Sequence, residues 1–190
     1  MPEYVLSHDG TSATYIAVTQ RVLRSPFLQP VGAGSFQLVE DVAYFVYLGI
    51  TREALTPKHV EFQVTTGGTG AQTAEVGFFS SPAAPNKAGQ SLSKLVASGA
   101  LDDLTTTGVK RNTAAMATSI AAGTHLWAGL RTAMATLEPV VLGVGGTLSE
   151  GPLLTTATAG ALTGAGPWTG AIAALVSLGC EGPLLRAVLD

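Results

Sequence analysis

The chain has 190 residues, enough for one domain or for one domain with an arm. Hydrophobic residues make up 46% of it and charged residues only 12%, about half of the roughly 25% that is usual for soluble domains. The net charge is −3 and the densest basic run is the pair Lys110-Arg111, which argues against a nucleic-acid partner. The single cysteine, Cys180, excludes an internal disulfide and favours assembly in a reducing cytoplasm.

The sequence carries no pattern typical of export or membrane insertion. The first ten residues, MPEYVLSHDG, contain Glu3 and no apolar run, so we expect no signal peptide. The longest apolar stretch, residues 171–178, is far shorter than the roughly 20 residues of a membrane-spanning helix. We therefore expect no membrane insertion.

Residues 1–40 differ in pattern from the rest of the chain. Residues 14–18 show the alternation of a strand, but Pro26, Pro30 and the run GAGS then break regular structure. We expect an extended N-terminal arm with one or two strands. The arm either docks on a neighbouring molecule or pairs with the edge of its own sheet, and residues 41–190 form the domain.

From residue 41 the pattern predicts an all-β domain. Residues 42–48 are aromatic and β-branched, as strands prefer. In residues 59–65, Val60, Phe62 and Val64 alternate with polar residues, which predicts a strand with one face in water. Further strands are expected at residues 73–79, 92–98, 109–120, 124–132, 138–144 and 171–178.

Two segments carry competing helical signals. Leucine and valine recur near helical spacing in residues 92–104, and residues 112–123 are rich in alanine, the best helix former. Gly99 interrupts the first segment and Gly108 follows it, while the second contains Thr113 and Thr118 and ends at Gly123. We therefore expect a strand or a loop in both. Strands separated by short turns favour an antiparallel β-sandwich, jelly-roll-like in type, with the N-terminal arm attached.

The residues that carry chemistry do not form a recognisable catalytic or metal motif. The three histidines, His8, His59 and His125, are far apart in sequence and far from the cysteine, so we expect no metal site. No Gly-x-Ser-x-Gly elbow is present. The adjacent acids Glu40-Asp41 and Asp102-Asp103 are expected at turns rather than in a two-carboxylate site. We assign no catalytic residue and no cofactor.

The segment GTHLWAGL, residues 123–130, offers the strongest candidate contact site. His125 and Trp127 share one face of the predicted strand, while Leu126 and Ala128 take the other. One interpretation places His125 and Trp127 on the outer face or at a contact between subunits. The other has Trp127 stacking on a sugar ring, with Trp168 as a second candidate for glycan or subunit contact.

Three short motifs within residues 40–150 follow one another in the order found in a known type of β-sandwich domain. They are Val76-Gly77-Phe78 before SSPAAPN, Leu95-Val96-Ala97-Ser98-Gly99 before Thr107-Gly108-Val109, and Ala122-Gly123-Thr124-His125-Leu126-Trp127. This order resembles a β-sandwich domain of bacteriophage virion proteins, found on tail fibres, head fibres and capsid decorations. The chain departs from that pattern with His125, where an aromatic residue is common, and with its own N-terminal arm.

The resemblance implies a non-enzymatic structural protein, made in the bacterial host cytoplasm and located at the virion surface. It implies an exposed sandwich on the capsid, as a decoration (cement) protein or head fibre, or on the tail. The implied partners are further copies of the chain, as a trimer or another oligomer, and virion proteins such as the major capsid or tail proteins. The alternative is a carbohydrate-binding, receptor-recognition module of a tail fibre or spike that binds a host surface glycan. An enzyme such as a depolymerase is disfavoured.

Overall fold

The computed structural model describes residues 22–24, 33–83, 91–144, 154–158, 177–179 and 182–189. Within these residues the chain forms strands and no helix. The strands are β1 (Val22–Arg24), β2 (Ala33–Gln37), β3 (Val42–Ile50), β4 (His59–Thr66), β5 (Gln72–Ser81), β6 (Ser93–Ser98), β7 (Gly108–Arg111), β8 (His125–Met134), β9 (Val140–Val144), β10 (Leu154–Thr158), β11 (Ser177–Gly179), β12 (Gly182–Pro183) and β13 (Arg186–Val188).

The strands form two antiparallel sheets that pack face to face. The first sheet has the order β1-β13-β4-β9-β12, with β2 also paired to β9 and β7 to β4. The second has the order β11-β10-β3-β8-β5-β6. The core between them takes alternate side chains from both sheets, such as Phe62 and Val64 from the first and Val46, Phe78 and Leu130 from the second. The predicted all-β antiparallel sandwich is therefore confirmed.

Most predicted strands lie where the alternation placed them. Residues 42–48, 59–65, 73–79, 92–98 and 124–132 correspond to β3, β4, β5, β6 and β8, and residues 138–144 overlap β9. The strand expected over residues 109–120 is wrong beyond β7, because the chain leaves the sheet after Arg111. Of the strand expected at 171–178, residues 177 and 178 belong to β11 and the rest lie outside the described residues.

Asn112 explains why the chain leaves the sheet after β7. Its fully buried side chain accepts a hydrogen bond from Val60 N at 2.9 Å. It also donates to Lys58 O at 2.9 Å and to Ala114 O at 2.6 Å. The backbone carbonyl of Asn112 accepts from His59 Nδ1 at 2.9 Å. These bonds replace ladder bonds and fasten the loop that follows Arg111 to the start of β4.

Part of the predicted N-terminal arm pairs with the first sheet. β2 pairs with β9 and β1 pairs with β13, both antiparallel. Phe36 on β2 packs edge to face against Tyr44, with ring centroids 5.3 Å apart. Residues 1–21, with the alternation at 14–18, and residues 25–32 lie outside the described residues. Docking of the arm on a neighbouring molecule stays a prediction.

The second sheet is apolar on both faces. The face opposite the shared core carries a second buried cluster formed by Ala43, Phe45, Tyr47, Phe79, Leu92 and Trp127. Phe45 and Phe79 meet edge to face, with centroids 5.0 Å apart and planes at 85°. Their rings lie over Gly129, where an added Cβ would be 2.7 Å from Phe79 Cε2 and 2.9 Å from Phe45 Cε1.

Gly129→Ala is expected to destabilise the protein by about 1–3 kcal/mol, because the new methyl group overlaps two packed rings. Gly99→Ala is the matched control, since its added Cβ meets nothing closer than 3.7 Å. Urea unfolding followed by tryptophan fluorescence measures both. Equal midpoints for the two variants would contradict the packing described for Gly129.

Asn112→Ala is expected to cost about 2–4 kcal/mol, because it leaves a buried N–H and two carbonyls without their partner. Thr113→Ala serves as the control, since Thr113 is exposed and gives up only one 3.3 Å bond to Ala100 O. Thermal unfolding of the two variants should differ clearly. A loss no larger for Asn112→Ala than for Thr113→Ala would show that the asparagine does not anchor the loop.

Candidate functional site

The register of the second sheet gathers the candidate site residues where β8 begins. His125 and Trp127 project from β8 onto the face of the second cluster. Tyr47 on β3 lies directly opposite Trp127, and Ser81 at the end of β5 lies directly opposite His125. The four side chains therefore form one group, which we call the β8 polar-aromatic group.

Trp127 is the buried centre of this group. Its exposed fraction is 0%, and its ring packs against Tyr47 with centroids 5.1 Å apart and planes at 57°. Its indole Nε1 donates to Ser81 Oγ at 2.8 Å. Trp127 does lie on the face of the second sheet that points away from the shared core, but that face is buried too, so the ring is not at the surface of the chain. Its ring offers no face to a sugar in this chain, and Trp168 lies outside the described residues.

His125 is the partly exposed member of the group. Its Nδ1 lies 2.7 Å from Tyr47 Oη, and the two rings stack with centroids 6.0 Å apart. Burial raises the pKa of Tyr47 to about 12, so its hydroxyl keeps its proton at neutral pH. The hydroxyl and Nδ1 share one hydrogen bond, whose direction depends on the tautomer of His125. Contact of His125 with a glycan or a subunit stays a prediction.

Ser81 uses both hydrogen-bonding directions of its hydroxyl for structure. It accepts from Trp127 and donates to Ala83 O at 2.6 Å. A serine nucleophile needs a neighbouring base that takes its proton. Here the Ser81 proton points to a backbone carbonyl, and Nδ1 of His125 is occupied by Tyr47. The group is therefore arranged for packing between strands.

Ion pairs that the sequence did not predict join strands on the outward faces of both sheets. On the second sheet, the guanidinium of Arg131 lies 3.0 Å from the carboxylate of Glu75, and both side chains are buried. On the first sheet, Arg186 holds Glu61 through two contacts of 2.6 and 2.8 Å, and Arg111 approaches it to 3.8 Å. The wet face expected for β4 is wrong at Glu61, which is only 4% exposed.

The adjacent acids lie at turns, as predicted. Asp103 accepts hydrogen bonds from Thr105 N at 2.9 Å and from Thr105 Oγ1 at 2.7 Å. These two bonds lower the pKa of the Asp103 carboxyl. Asp102 Oδ2 accepts from Arg111 N at 3.1 Å. Asp41 has a φ of 58°, a left-handed conformation that Asp tolerates better than most residues, in the β2–β3 turn.

The structure does not bring the described histidines together. His59 lies on β4 of the first sheet and His125 on β8 of the second, while His8 and Cys180 are outside the described residues. No group of three or more His, Cys, Asp or Glu in the described ranges is arranged to hold a metal ion. Those ranges also contain no helix of the length and apolarity that crossing a membrane requires.

Comparison of the chain with family models, with curated proteins and with solved structures finds no match.

Tyr47 predicts an alkaline dependence of stability. An unfolded tyrosine ionises near pH 10.0 and buried Tyr47 near 12, so in this window the folded chain binds more protons than the unfolded chain. The free energy of unfolding should therefore fall as pH rises from 10 towards 12, with about 1–2 kcal/mol of the loss due to Tyr47. Tyr47→Phe should show a shallower fall in urea titrations at pH 9 to 11.5. Identical slopes for the two proteins would contradict the assignment.

Proposed function

We propose that this chain is a non-enzymatic structural protein of a bacteriophage virion, an exposed β-sandwich on the capsid or tail that assembles with copies of itself. The observation that carries the proposal is that the potentially reactive side chains near the site are bound to neighbouring strands. Ser81 and His125 are bound within the β8 polar-aromatic group, and Glu75 and Glu61 are bound to arginines of neighbouring strands. The hydroxyl, imidazole and carboxylate groups that an enzyme would expose to a substrate here form hydrogen bonds and ion pairs between strands.

The motifs that resemble phage sandwich domains occupy packing positions. Val76 and Phe78 lie in the shared core, and between them Gly77 lies directly opposite Gly129 on β8. Trp127, which ends the third motif, is the centre of the second cluster. A resemblance carried by packing residues supports a mechanical role, and the capsid is our first choice of location because the sequence contains no long fibre-forming repeat.

The surface supports assembly with further copies. The described residues include large hydrophobic side chains that are about half exposed, among them Val39 and Leu137. These two lie at the same end of the sandwich, because Leu38 N donates to Pro139 O at 3.2 Å. Charged residues are depleted at interface cores, and this chain is poor in them throughout. We propose a trimer, with another closed oligomer as the alternative.

Light scattering on the purified protein tests the assembly. We expect a monodisperse species with the mass of about three chains of 19.3 kDa, stable on dilution because charge-poor apolar contacts dissociate slowly. A stable monomer would overturn the proposal of obligate assembly. Mass spectrometry of particles purified from a host that carries the gene tests the location, and its absence from the particles would overturn a virion role.

The alternative, a glycan-binding module, has less support because Trp127 is buried. Trp127→Ala does not discriminate, since removing a buried tryptophan costs about 3–5 kcal/mol whatever the function. His125→Ala is the better probe, because His125 is partly exposed. Binding on a glycan array that this variant abolishes while keeping its fold would favour the alternative.

A further inference from the structure

The two ends of the sandwich carry charges of opposite sign. β3 runs from the turn at residues 39–41 to Ile50, and at about 3.3 Å per residue its ends are roughly 30 Å apart. The end that carries Val39 and Leu137 is formed by the β2–β3, β4–β5 and β8–β9 turns and the loop before β7, and we call it the acidic end. The opposite end is formed by the β3–β4 loop and the residues that precede β8, and we call it the basic end.

The acidic end exposes carboxylates together with its two half-exposed apolar side chains. The loop before β7 lies at this end, because Gly68 N donates to Leu104 O at 3.0 Å. The amine of Lys110 reaches that loop and donates to Thr106 Oγ1 at 2.6 Å, but the lysine side chain is buried. The carboxylates that are at least partly exposed at this end are those of Glu40, Asp41, Asp102 and Asp103. The surface of the acidic end therefore combines apolar contact area with net negative charge.

The basic end exposes cations beside Ile50. Ile50 is 47% exposed, and Arg52 and Lys58 in the loop that follows it are exposed as well. Glu53 in the same loop offsets one of these two cations. Two backbone hydrogen bonds of 2.8 and 3.0 Å fasten the loop to the segment before β8. The surface of the basic end therefore combines apolar contact area with net positive charge.

Charges on the sides of the sandwich are used within the chain. On the outward faces of the two sheets, the carboxylates of Glu61 and Glu75 are buried and paired with arginines of neighbouring strands. At the ends, no ion pair joins Glu40, Arg52 or Lys58 to another residue in the described part of the chain. The charges at the ends are therefore the ones available to attract a second molecule.

The symmetry of a ring requires two different patches on each chain. In a twofold dimer one patch meets a copy of itself, whereas in a trimer or larger ring one patch meets a different patch of the next copy. Two acidic ends would repel each other, and so would two basic ends. An acidic end and a basic end attract each other, and each brings an exposed apolar side chain to the contact.

We propose that copies of this chain join head to tail, with the acidic end of one copy against the basic end of the next. Val39 and Leu137 then pack near Ile50 of the neighbouring copy. Arg52 and Lys58 face the carboxylates of the acidic end. The inference rests on the proposed assembly of the chain with copies of itself, and it names the two surfaces that meet. Three such contacts close the proposed trimer.

Two blocked variants test the contact by light scattering. Leu137→Arg adds a cation to the acidic end and Ile50→Glu adds an acid to the basic end, so each variant disables one side of every contact. We expect each variant alone to fall to the mass of one chain, 19.3 kDa. A mixture of the two should form a species of twice that mass, because each variant supplies the end that the other has lost. The mixture is measured at about a hundredfold higher concentration, because a single contact lacks the avidity of a closed ring.

Val109→Arg is the matched control for the blocked variants. Val109 is 54% exposed and lies opposite Gln63 on the outward face of the first sheet, at the side of the sandwich. The same kind of substitution there should leave the mass of the wild-type assembly unchanged. If either blocked variant fails to fold by circular dichroism, Val39→Arg or Arg52→Glu replaces it at the same end.

The outcomes separate this contact from the assembly itself. A monomeric wild-type protein would overturn the proposed assembly and the contact with it. A wild-type oligomer whose mass neither blocked variant changes would overturn the head-to-tail contact alone, and loss of mass only in Val109→Arg would place the contact on the side of the sandwich. Dissociation of only one blocked variant, or a mixture that stays monomeric, would also overturn the head-to-tail contact.

Discussion

Phe45 and Phe79 meet edge to face over the backbone of Gly129, and the second sheet depends on this contact. A side chain at position 129 would push the rings away from the strand. With glycine there, aromatic residues of β3 and β5 cover β8 and extend the apolar surface to Tyr47 and Trp127. The sheet therefore has two buried faces, whereas one face of most antiparallel sheets is in contact with water.

Two apolar faces create a problem of register that the polar side chains solve. A slip of one residue exchanges the faces of a strand, and when both faces are apolar the hydrophobic effect penalises that slip only weakly. The paired charges penalise it strongly. A slip of β8 would move Arg131 into the shared core and leave Glu75 unpaired, at a cost of about 3–5 kcal/mol. The bonds from Trp127 to Ser81 and from Tyr47 to His125 fix the same register at the other end of β8.

The sequence predicted the fold where one face of a strand is polar, and it failed where polarity depends on distant partners. Alternation in residues 59–65 predicted β4 and its core residues, because a period of two separates the faces directly. The same alternation separated His125 and Trp127 from Leu126, but it does not reveal that both faces are buried. Glu61 looked solvated because Arg186, its partner, is 125 residues away in sequence. Asn112 was expected inside a strand over residues 109–120 for the same reason, since the bonds that take it out of the sheet depend on β4 and the residue before it.

The hydrogen bonds at the end that carries Val39 and Leu137 bear on the proposed assembly. The turns that present these side chains are fastened to each other, through Leu38 N to Pro139 O, and to the β4–β5 turn, through Thr69 N to Leu137 O at 2.9 Å. Ordering of loops is one of the main costs of association. These turns are already ordered by hydrogen bonds in the single chain. Packing of a second subunit against Val39 and Leu137 would therefore lose little further conformational entropy in them. Glu138, which lies next to Leu137 in the same turn, is buried and accepts a hydrogen bond from Met134 N at 2.6 Å, so its side chain fastens that turn to the end of β8.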